Sequence, residues 1–297
     1  MPELPEVECV RRSLEPLLAG ARVLRAELLR PDIVTGPARA RDLLQGTEAV
    51  ALRRHGKQLA ILGRPGRRGG PAPRDREARV LLVHLGMTGQ LMLLPAGASP
   101  ERPGHVHARW RVRRPDGTEH LLVFRDPRRF GGLWTFRSVA ELEVRWSGLG
   151  PDALELSARD LSTALAGTTR AVKAALLDQR VAAGIGNIYA DESLHLAGIH
   201  PAARSDRLRA GQVRALARAI PAVLRRSIRA GGTTRRDYTD GLGRAGRAGR
   251  RLAVYGRAGA PCLSCGTCLR ESTVAQRTTV HCPLCQPLRA RGPAGPG

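Results

Sequence analysis

Residues 262–285 read CLSCGTCLRESTVAQRTTVHCPLC, and in this stretch two CxxC pairs are separated by sixteen residues. Zinc takes four thiolates in a tetrahedron, and two cysteine turns joined by a hairpin supply them. Four cysteines leave no open coordination position, so the sequence predicts one structural Zn²⁺ in a C-terminal zinc ribbon. The ligands would be Cys262, Cys265, Cys282 and Cys285. Four free cysteines are the competing interpretation, and Cys268, which extends the first pair to CxxCxxC, is an alternative ligand.

The turn of this ribbon is expected near residues 276–279, which are polar and basic and include Arg277. A basic hairpin tip can reach a DNA phosphate. A solvated hairpin has the same composition, so the zinc motif alone leaves both interpretations open.

The charge of the chain points to a polyanion as its partner. The formal net charge is +23 at pH 7, and the isoelectric point is about 11.5. Nucleic acid is the first candidate and a membrane surface the second. The chain has no apolar run of about 18 residues, and its first residues are acidic where a signal peptide is basic and apolar. We therefore expect a cytoplasmic protein with no membrane partner.

Lysine is nearly absent, because only Lys57 and Lys173 occur among 49 basic residues. A compositional bias toward arginine explains the excess without any function. A site that needs a transferable proton or a compact point charge resists such replacement, however, since arginine stays protonated in proteins. The two lysines are therefore candidate functional residues, and two stray surface lysines are the alternative.

The N-terminus is a second candidate site. Removal of the initiator methionine would leave Pro2 with a secondary amine of pKa about 8, part of it neutral and nucleophilic at working pH. An amine can attack the C1′ atom of a sugar and form an iminium. Glu3 could move protons, and Glu6 would lie in the first turn of an amphipathic helix predicted over residues 3–18. The same acids are equally typical of a simple helix start.

The length of 297 residues suggests at least two domains. Short β-prone stretches over residues 21–136 predict a β-sandwich, interrupted by a mobile hairpin loop at residues 63–79. The segment GLGP at residues 148–151 marks the expected boundary with a helical half. Helices are predicted at 158–166, 170–179, 187–197 and 207–229, the last with Pro221 as a potential kink. Residues 232–251 have no apolar stripe and are predicted to form an exposed loop.

A glycine-rich turn, GIGN at residues 184–187, precedes one of these helices. Glycines and a helix N-terminus allow backbone amides and Asn187 to approach a phosphate closely. An ordinary turn between two helices is the alternative interpretation.

Several motifs, in order along nearly the whole chain, resemble the bacterial formamidopyrimidine-DNA glycosylase family. They are PELPEVE at 2–8, HGK at 55–57, HLGMTG at 84–89, DPRRFG at 126–131, DQRVAAGIGNIYADESLHLAGIHP at 178–201, and VYGR followed by the cysteines. The resemblance implies an α+β fold in which an N-terminal helix and β-sandwich precede a helix-two-turn-helix domain and a zinc ribbon. We place the domains at 1–150, 151–251 and 252–287, followed by a disordered tail at 288–297.

The same resemblance implies a bifunctional DNA glycosylase and abasic-site lyase. Pro2 would form the Schiff base, and Glu3 would assist sugar opening and base loss. Lys57 would donate a proton in β-elimination, and Arg277 would assist δ-elimination. Lys57 is thus indicated both by the scarcity of lysine and by the resemblance.

Further residues are expected to contact DNA. Flipping a nucleotide out of the stack leaves a space, and apolar or planar side chains fill it best. Met87, Arg128 and Phe130 match the void-filling residues of the family, with a place in the sandwich core as the alternative for Met87. The remaining positions that match DNA-contacting residues of the family are His84, His105, Lys173 and Asn187.

The implied function is base-excision repair of oxidised purines, 8-oxoguanine and formamidopyrimidines, in duplex DNA by β,δ-elimination. The protein would act as a monomer near the nucleoid, on DNA that contains oxidised bases or abasic sites. Two alternatives remain: an endonuclease VIII-like enzyme for oxidised pyrimidines, and a non-catalytic zinc-ribbon DNA-binding protein. Leu4 and the void-filling residues favour the purine enzyme, and a binder has no need for the proline, glutamate and lysine together.

Two positions depart from the family pattern. The family commonly has Gly-x-Phe-Gln in the loop before the zinc ribbon, whereas this chain has GRAG at residues 246–249. Because that loop is associated with holding the everted base, the missing aromatic and amide side chains leave open which damaged base this chain prefers. Thr168 replaces a basic residue ahead of the DNA-facing helix, and Arg170 is a candidate to compensate for it.

Overall fold

A computed structural model describes residues 2–65, 78–98, 104–234 and 237–288. The chain divides into two compact units. The first comprises Met1–Gly148 and Ser227–Gly249, and the second comprises Leu149–Arg226 and Arg250–Gly297. Residues 227–249, which we assigned from sequence to the helical domain, therefore belong to the unit that contains the sheet. The domain limits given above stay a prediction, and the tail beyond residue 288 lies outside the described residues.

Within the described residues, nine strands and two complete α-helices lie in the first unit. They are α1 (Leu4–Leu18), β1 (Arg22–Leu28), β2 (Val34–Thr35), β3 (Thr47–His55), β4 (Gln58–Pro65), β5 (Arg79–His84), β6 (Gln90–Pro95), β7 (Val106–Arg113), β8 (Glu119–Arg125), β9 (Gly132–Phe136) and α2 (Val139–Trp146). The second unit contains α3 (Ala158–Ala166), α4 (Val172–Leu177), α5 (Asn187–Leu196) and the hairpin of β10 (Arg270–Val274) and β11 (Arg277–His281). Helix α6 (Ala210–Arg229) begins in the second unit and ends in the first.

Helix α1 confirms the amphipathic helix predicted at the N-terminus. The Glu3 backbone N–H donates a hydrogen bond to the Glu6 carboxylate at 2.9 Å, which satisfies one of the amide groups that a helix start leaves open. Of the apolar residues at helical spacing, Leu17 is half-buried and the others are buried: Leu4, Val7, Val10, Leu14 and Leu18. Beyond its end, Gly20 takes a positive φ of 76°, a conformation that glycine adopts without strain.

The nine strands form one hydrogen-bonded sheet in the order β2-β9-β5-β4-β3-β1-β7-β8-β6. A single residue pair, Arg22 with Glu48, joins β1 to β3, so the sheet has two halves that meet at a narrow connection. Side chains of both halves line one small void, among them Ile61 and Leu81 from one half and Trp110 and Leu122 from the other. The halves therefore face each other across a shared apolar core, which is the predicted sandwich arrangement.

The loop predicted at residues 63–79 connects β4 to β5, an antiparallel pair in which Gly63 faces Arg79. The hairpin connection is confirmed, because the described strands reach Pro65 and begin again at Arg79. The mobility predicted for the loop falls on residues 66–77, which lie outside the described residues.

The second unit is mainly helical, as predicted. Helix α3 spans the predicted residues, and its N-cap Ser157 accepts a hydrogen bond from the Asp160 backbone. Helices α4 and α5 are separated by residues 178–186, where Gln179 ties the turns together: its amide donates to the Ile185 carbonyl at 2.9 Å and its oxygen accepts from the Gly184 N–H. Helix α6 continues through Pro221.

Residues 232–234 and 237–251 form a loop without strands or α-helices, as predicted, but the prediction that this loop is exposed was wrong for part of it. Thr233, Tyr238, Asp240 and Ala248 are buried. Tyr238 donates a hydrogen bond to the Glu6 carbonyl at 3.2 Å, the Thr233 N–H donates to the Glu6 carboxylate at 2.7 Å, and the Gly241 N–H donates to Ser13 at 2.9 Å. The segment is thus held on α1 by polar contacts, which hydrophobic periodicity does not reveal.

Among the helices of the described residues, none is both long and apolar enough to cross a membrane.

We predict that Tyr238→Phe lowers the free energy of unfolding by about 1 kcal/mol, because a buried carbonyl loses its hydroxyl donor. Urea denaturation followed by circular dichroism measures the change. Leu242→Ala is the control, since this side chain of the same loop is exposed and should change stability little. Equal losses for the two variants would contradict the anchoring role of the hydroxyl.

Candidate active site and nucleic-acid interface

The register of three neighbouring strands brings separate motifs together at one end of the first unit. His84, the last residue of β5, pairs with Gln58 at the start of β4 and with Gly132 at the start of β9. Lys57 immediately precedes β4, and the DPRRFG segment immediately precedes β9. The motifs HGK, HLGMTG and DPRRFG therefore lie side by side, although up to about 70 residues separate them in sequence.

Asp126 holds two of these motifs against each other. Its buried carboxylate accepts hydrogen bonds from the Thr88 hydroxyl at 2.6 Å, the Arg128 N–H at 3.3 Å and the Gly131 N–H at 2.7 Å. The loops also approach closely, because a Cβ atom at Gly86 would collide with the backbone of Phe130. Thr88 and residues 128–131 are therefore fixed by one carboxylate.

The loops that Asp126 holds present their apolar side chains to solvent. Phe130 is 57% exposed and Met87 is 38% exposed, and the Arg128 guanidinium lies 4.9 Å from the centre of the Phe130 ring. A cation over an aromatic face is a favourable arrangement. The sandwich-core alternative for Met87 is thereby excluded, and exposed apolar side chains of this kind suit insertion into a base stack.

The two histidines of the predicted interface differ in environment. His84 is half-buried, and its Nδ1 atom accepts a hydrogen bond from the Gly86 N–H at 3.2 Å. Burial, together with the positive charge of Lys57, lowers the pKa of His84, so its imidazole is neutral at pH 7. His105 is exposed and takes a positive φ of 68°, and its carbonyl accepts the Asp126 N–H at 3.0 Å.

The N-terminal residues lie at the start of α1. Pro2 and Glu3 are both buried, and Glu6 in the first turn joins the Glu3 backbone to Thr233. The N-terminal end of a helix carries a partial positive charge, which stabilises carboxylates and disfavours a protonated amine. This location therefore suits an acid beside a neutral nucleophile.

In the second unit, Asn187 and Arg277 are brought together at the hairpin tip. Asn187 is the first residue of α5, and its amide donates a hydrogen bond to the Thr278 carbonyl at 3.0 Å. Arg277 starts β11 and is exposed. The turn itself is Ala275 and Gln276, both at positive φ. The glycine-rich turn and the ribbon tip thus form one surface of this unit, with an exposed arginine and a helix N-terminus.

Lys173 does not reach that surface, which corrects its assignment as a DNA-contacting residue. Its side chain is 0% exposed and forms an ion pair of 2.7 Å with Asp191. It also donates hydrogen bonds to the Thr278 carbonyl at 3.1 Å and the Thr279 hydroxyl at 2.7 Å. Burial raises the pKa of Asp191 to about 6, and Lys173 limits the rise. The buried ammonium supports the hairpin from inside and is not exposed for a contact with phosphate in this structure.

The four cysteines of the two CxxC pairs form a cluster that could hold a metal ion. Sulfur–sulfur distances are 3.9 Å for Cys262–Cys285, 3.5 Å for Cys265–Cys282 and 3.4 Å for Cys265–Cys285. Four thiolates about 2.3 Å from a central zinc lie about 3.8 Å apart, so the spacing fits a tetrahedral site. Cys268 points elsewhere, with its thiol donating to the Gly259 carbonyl at 3.4 Å.

The structure also shows the contacts of the positions that depart from the family pattern. A Cβ atom at Gly246 would collide with the Gly232 carbonyl, so this position requires glycine. Ala248, in the place of the family's phenylalanine, is buried and its N–H donates to the same carbonyl at 3.0 Å. Thr168 accepts a hydrogen bond from Arg170 at 3.1 Å, and Arg170 also pairs with Asp178 at 3.3 Å.

Sequence reasoning missed Asp126 and Asp191. Both are buried acids that act through hydrogen bonds to the backbone. The signal available for Asp126 was its place at the start of DPRRFG, where an acid directly before a proline and two arginines is typical of a turn that binds its own backbone. For Asp191, a charged residue in a largely apolar helix was the only indication.

Known protein families match this architecture in order. Residues 1–133 match the formamidopyrimidine-DNA glycosylase N-terminal domain, and residues 148–239 match the H2TH domain of the same enzymes. These matches define a DNA glycosylase of the helix-two-turn-helix class.

Full-length relatives and solved structures show which family within this class of DNA glycosylases the chain resembles. The chain is 43% identical to formamidopyrimidine-DNA glycosylase of Thermomicrobium roseum, over 97% of this chain and 100% of that protein. It is 41% identical to formamidopyrimidine-DNA glycosylase of Alkalilimnicola ehrlichii, over 96% of this chain and 100% of that protein. A mutant of Lactococcus lactis FPG, solved in complex with a Fapy-dG containing DNA, has a TM-score of 0.81 at 31% identity, and the match covers 96% of this chain and 100% of that one. Thermus thermophilus MutM (FPG) has a TM-score of 0.78 at 36% identity, and the match covers 96% of this chain and 98% of that one.

The chain belongs to the formamidopyrimidine-DNA glycosylase family, whose members are DNA glycosylases and abasic-site lyases. These similarities favour the base-excision repair enzyme over both alternatives raised from the sequence.

We predict that Asp126→Asn loosens the loops that carry Met87 and Phe130. An amide in place of the carboxylate turns an N–H₂ group toward a donor, either the Gly131 N–H or the Thr88 hydroxyl, at a cost of about 1–3 kcal/mol. Hydrogen exchange of the Arg128 and Gly131 amides should accelerate by about tenfold or more.

The control is Asp116→Asn. Asp116 is an exposed turn acid that bonds with Thr118 and Arg114 in its own hairpin, away from the loops that Asp126 holds. Unchanged exchange at Arg128 and Gly131 in Asp126→Asn would show that other contacts hold the loops.

Proposed function

We propose that this protein excises oxidised purines from duplex DNA through a Schiff base on Pro2 and then cuts the strand by β,δ-elimination. The observation that carries the proposal is the shared location of Lys57, His84 and the exposed Met87, Arg128 and Phe130 at one end of β4, β5 and β9. The side chains proposed to open the base stack therefore lie at the same end of these strands as Lys57, one of the two lysines of the chain. The substrates proposed are 8-oxoguanine and formamidopyrimidines, in accord with the Fapy-dG DNA bound by the Lactococcus protein.

The chemistry assigned to the N-terminus begins with attack of the Pro2 nitrogen on C1′. The bond between C1′ and the base breaks, and the base leaves with a proton taken from solvent, while the Glu3 carboxylate accepts the N–H proton of the attacking amine. Glu3 then returns this proton to the ring oxygen as the bond between C1′ and the ring oxygen breaks, so that the nitrogen and C1′ form an iminium. The helix start supports both roles, since its partial positive charge favours a neutral amine and an ionised carboxylate until the substrate arrives.

The later steps are assigned to Lys57 and Arg277. In β-elimination a proton leaves C2′ and the 3′-phosphate is expelled, with Lys57 as the proton donor to the departing group. In δ-elimination a proton leaves C4′ and the 5′-phosphate is expelled, assisted by Arg277. A compact ammonium suits proton donation and a guanidinium suits phosphate binding, which agrees with the two residue types.

The DNA contacts are assigned to both units. Met87 and Phe130 would fill the space left by the flipped nucleotide, with Arg128 beside them, and His84 and His105 would contact the strand near it. Asn187 and the N-terminus of α5 would hold a phosphate. The Lactococcus protein binds DNA that contains an abasic site, which agrees with contacts to the phosphates of the DNA rather than to the base alone. We expect a monomer that acts on chromosomal DNA in the cytoplasm.

The metal assigned to the cysteine cluster is one structural Zn²⁺, for which the donor set and sulfur spacing fit. When bound, zinc would hold the ends of the β10–β11 hairpin together and contribute folding energy. The chain itself prepares the site: the Cys285 N–H donates to the Cys282 sulfur at 3.3 Å, and the His195 ring lies 3.5 Å from the Cys262 sulfur. Contacts of this kind orient ligand sulfurs.

We predict that borohydride traps the wild-type protein on a duplex with 8-oxoguanine opposite cytosine, and that peptide mass spectrometry locates the adduct on Pro2. The protein must have a free N-terminus, and a form with the N-terminus blocked should give no adduct while binding DNA normally. A C-terminally tagged protein is the control for the tag itself.

Other outcomes distinguish the alternatives. An adduct only on oxidised-pyrimidine or abasic-site duplexes would keep the mechanism and change the base recognised. No adduct on any duplex would favour a non-catalytic binder.

A second prediction concerns the metal. Cys265→Ser should lose zinc and lower the melting temperature of the protein, whereas Cys268→Ser should retain about one zinc per chain, since its thiol points away from the cluster. Metal analysis of the purified variants measures this. The reverse result would identify Cys268 as the ligand.

A further inference from the structure

Arg54 connects the helix that begins at the N-terminus to the turn that carries Lys57. It is the penultimate residue of β3, and its side chain is only 7% exposed. Its Nε atom donates a hydrogen bond to the Glu8 carboxylate on α1 at 3.0 Å, and its Nη1 atom donates to the Gly56 carbonyl at 2.9 Å. One planar guanidinium therefore binds both elements at once.

The Glu8 carboxylate is an ionised and fixed anchor for this contact. Burial would raise the pKa of Glu8, but hydrogen bonds from Arg11 and Arg12 and the charges of Arg11 and Arg54 outweigh it and lower the pKa to about 2. Arg11 and Arg12 approach the carboxylate at 2.9 and 2.7 Å. Because two other arginines neutralise Glu8, the distinctive contribution of Arg54 is geometric: it reaches a second element.

The second element is a two-residue turn. His55 pairs with Gln58, which leaves Gly56 and Lys57 as the central residues, and Gly56 takes a positive φ of 55°. The Gly56 carbonyl belongs to the peptide unit directly before Lys57. A hydrogen bond to that carbonyl therefore fixes the backbone from which the lysine side chain extends.

We propose that Arg54 is a positioning residue that holds Lys57 in register with Pro2 and Glu3. The inference rests on the roles assigned to these residues in the proposed function. Both the amine that attacks C1′ and the lysine that serves the elimination must reach one sugar, and an error of about 1 Å in such an arrangement can cost about a hundredfold in rate. Glu8 lies in the same helix that Glu3 caps, so the anchor moves with the nucleophile as one rigid element.

Arginine is required for this role because its fork presents several N–H groups in fixed directions, whereas lysine is a single point charge. Arg54→Lys keeps a positive charge near Glu8 but cannot bond the carboxylate and the Gly56 carbonyl together. This variant therefore separates positioning from charge compensation. Arg54→Met removes both and serves as the stronger second variant.

The test is single-turnover kinetics on a duplex that already contains an abasic site, with two readouts. Borohydride trapping reports formation of the Schiff base, and strand cleavage reports elimination. For Arg54→Lys we expect trapping rates within about twofold of wild type and elimination about tenfold to a hundredfold slower, so that the Schiff base accumulates.

Arg53→Met is the matched control. Arg53 is the neighbouring residue on the same strand, but it pairs with Glu143 at 2.7 Å and lies 5.2 Å from the centre of the Trp146 ring. It should leave both rates near wild type. Urea denaturation of each variant confirms that the protein is folded under the assay conditions.

A double-mutant cycle with Lys57→Ala decides whether Arg54 acts through the lysine. In the Lys57→Ala background, Arg54→Lys should slow elimination no further. The same loss in both backgrounds, or a parallel fall of trapping and elimination, would overturn the proposal. Failure of the wild-type protein to be trapped at all would instead refute the proposed function, so the two failures are distinguishable.

Discussion

The pairing of β4, β5 and β9 is the constraint on which the site in the first unit depends. Each strand carries a functional segment at one end, and these segments meet only because His84 faces Gln58 on one side and Gly132 on the other. Consecutive residues of β4 and β5 are buried, so both faces of these strands pack against other side chains, and a slip of one residue would disrupt the packing on both faces. Burial of residues such as Leu81 and Val83 thus determines where Lys57 and Phe130 lie.

Much of this architecture follows from the sequence. Helical spacing predicted α1 and α3 nearly to the residue, and alternation with glycine and proline punctuation predicted the sheet. The cysteine spacing predicted a ligand cluster, which the structure brings together. Patterns of this kind succeed because periodic burial and metal geometry leave a local signature.

Contacts between polar groups distant in sequence left no such signature. Lys173 was singled out by composition, but the sequence did not predict Asp191 and Thr279 as its neighbours, and only the fold shows that the three are buried together. The exposure of the loop at residues 232–251 was overestimated for the same reason, since Tyr238 and Thr233 are buried through hydrogen bonds to the backbone and the carboxylate of Glu6. A buried hydrogen bond constrains a residue as strongly as an apolar contact, yet it has no period in the sequence.

The exposure of Met87 has a chemical consequence. An accessible thioether is open to oxidation, and the sulfoxide that results is polar and chiral where the methionine was apolar and flexible. If Met87 inserts into the base stack as proposed, the sulfoxide oxygen would have to give up its hydration on insertion. The oxidants that damage guanine would then also weaken this insertion, and reduction of the sulfoxide would restore it.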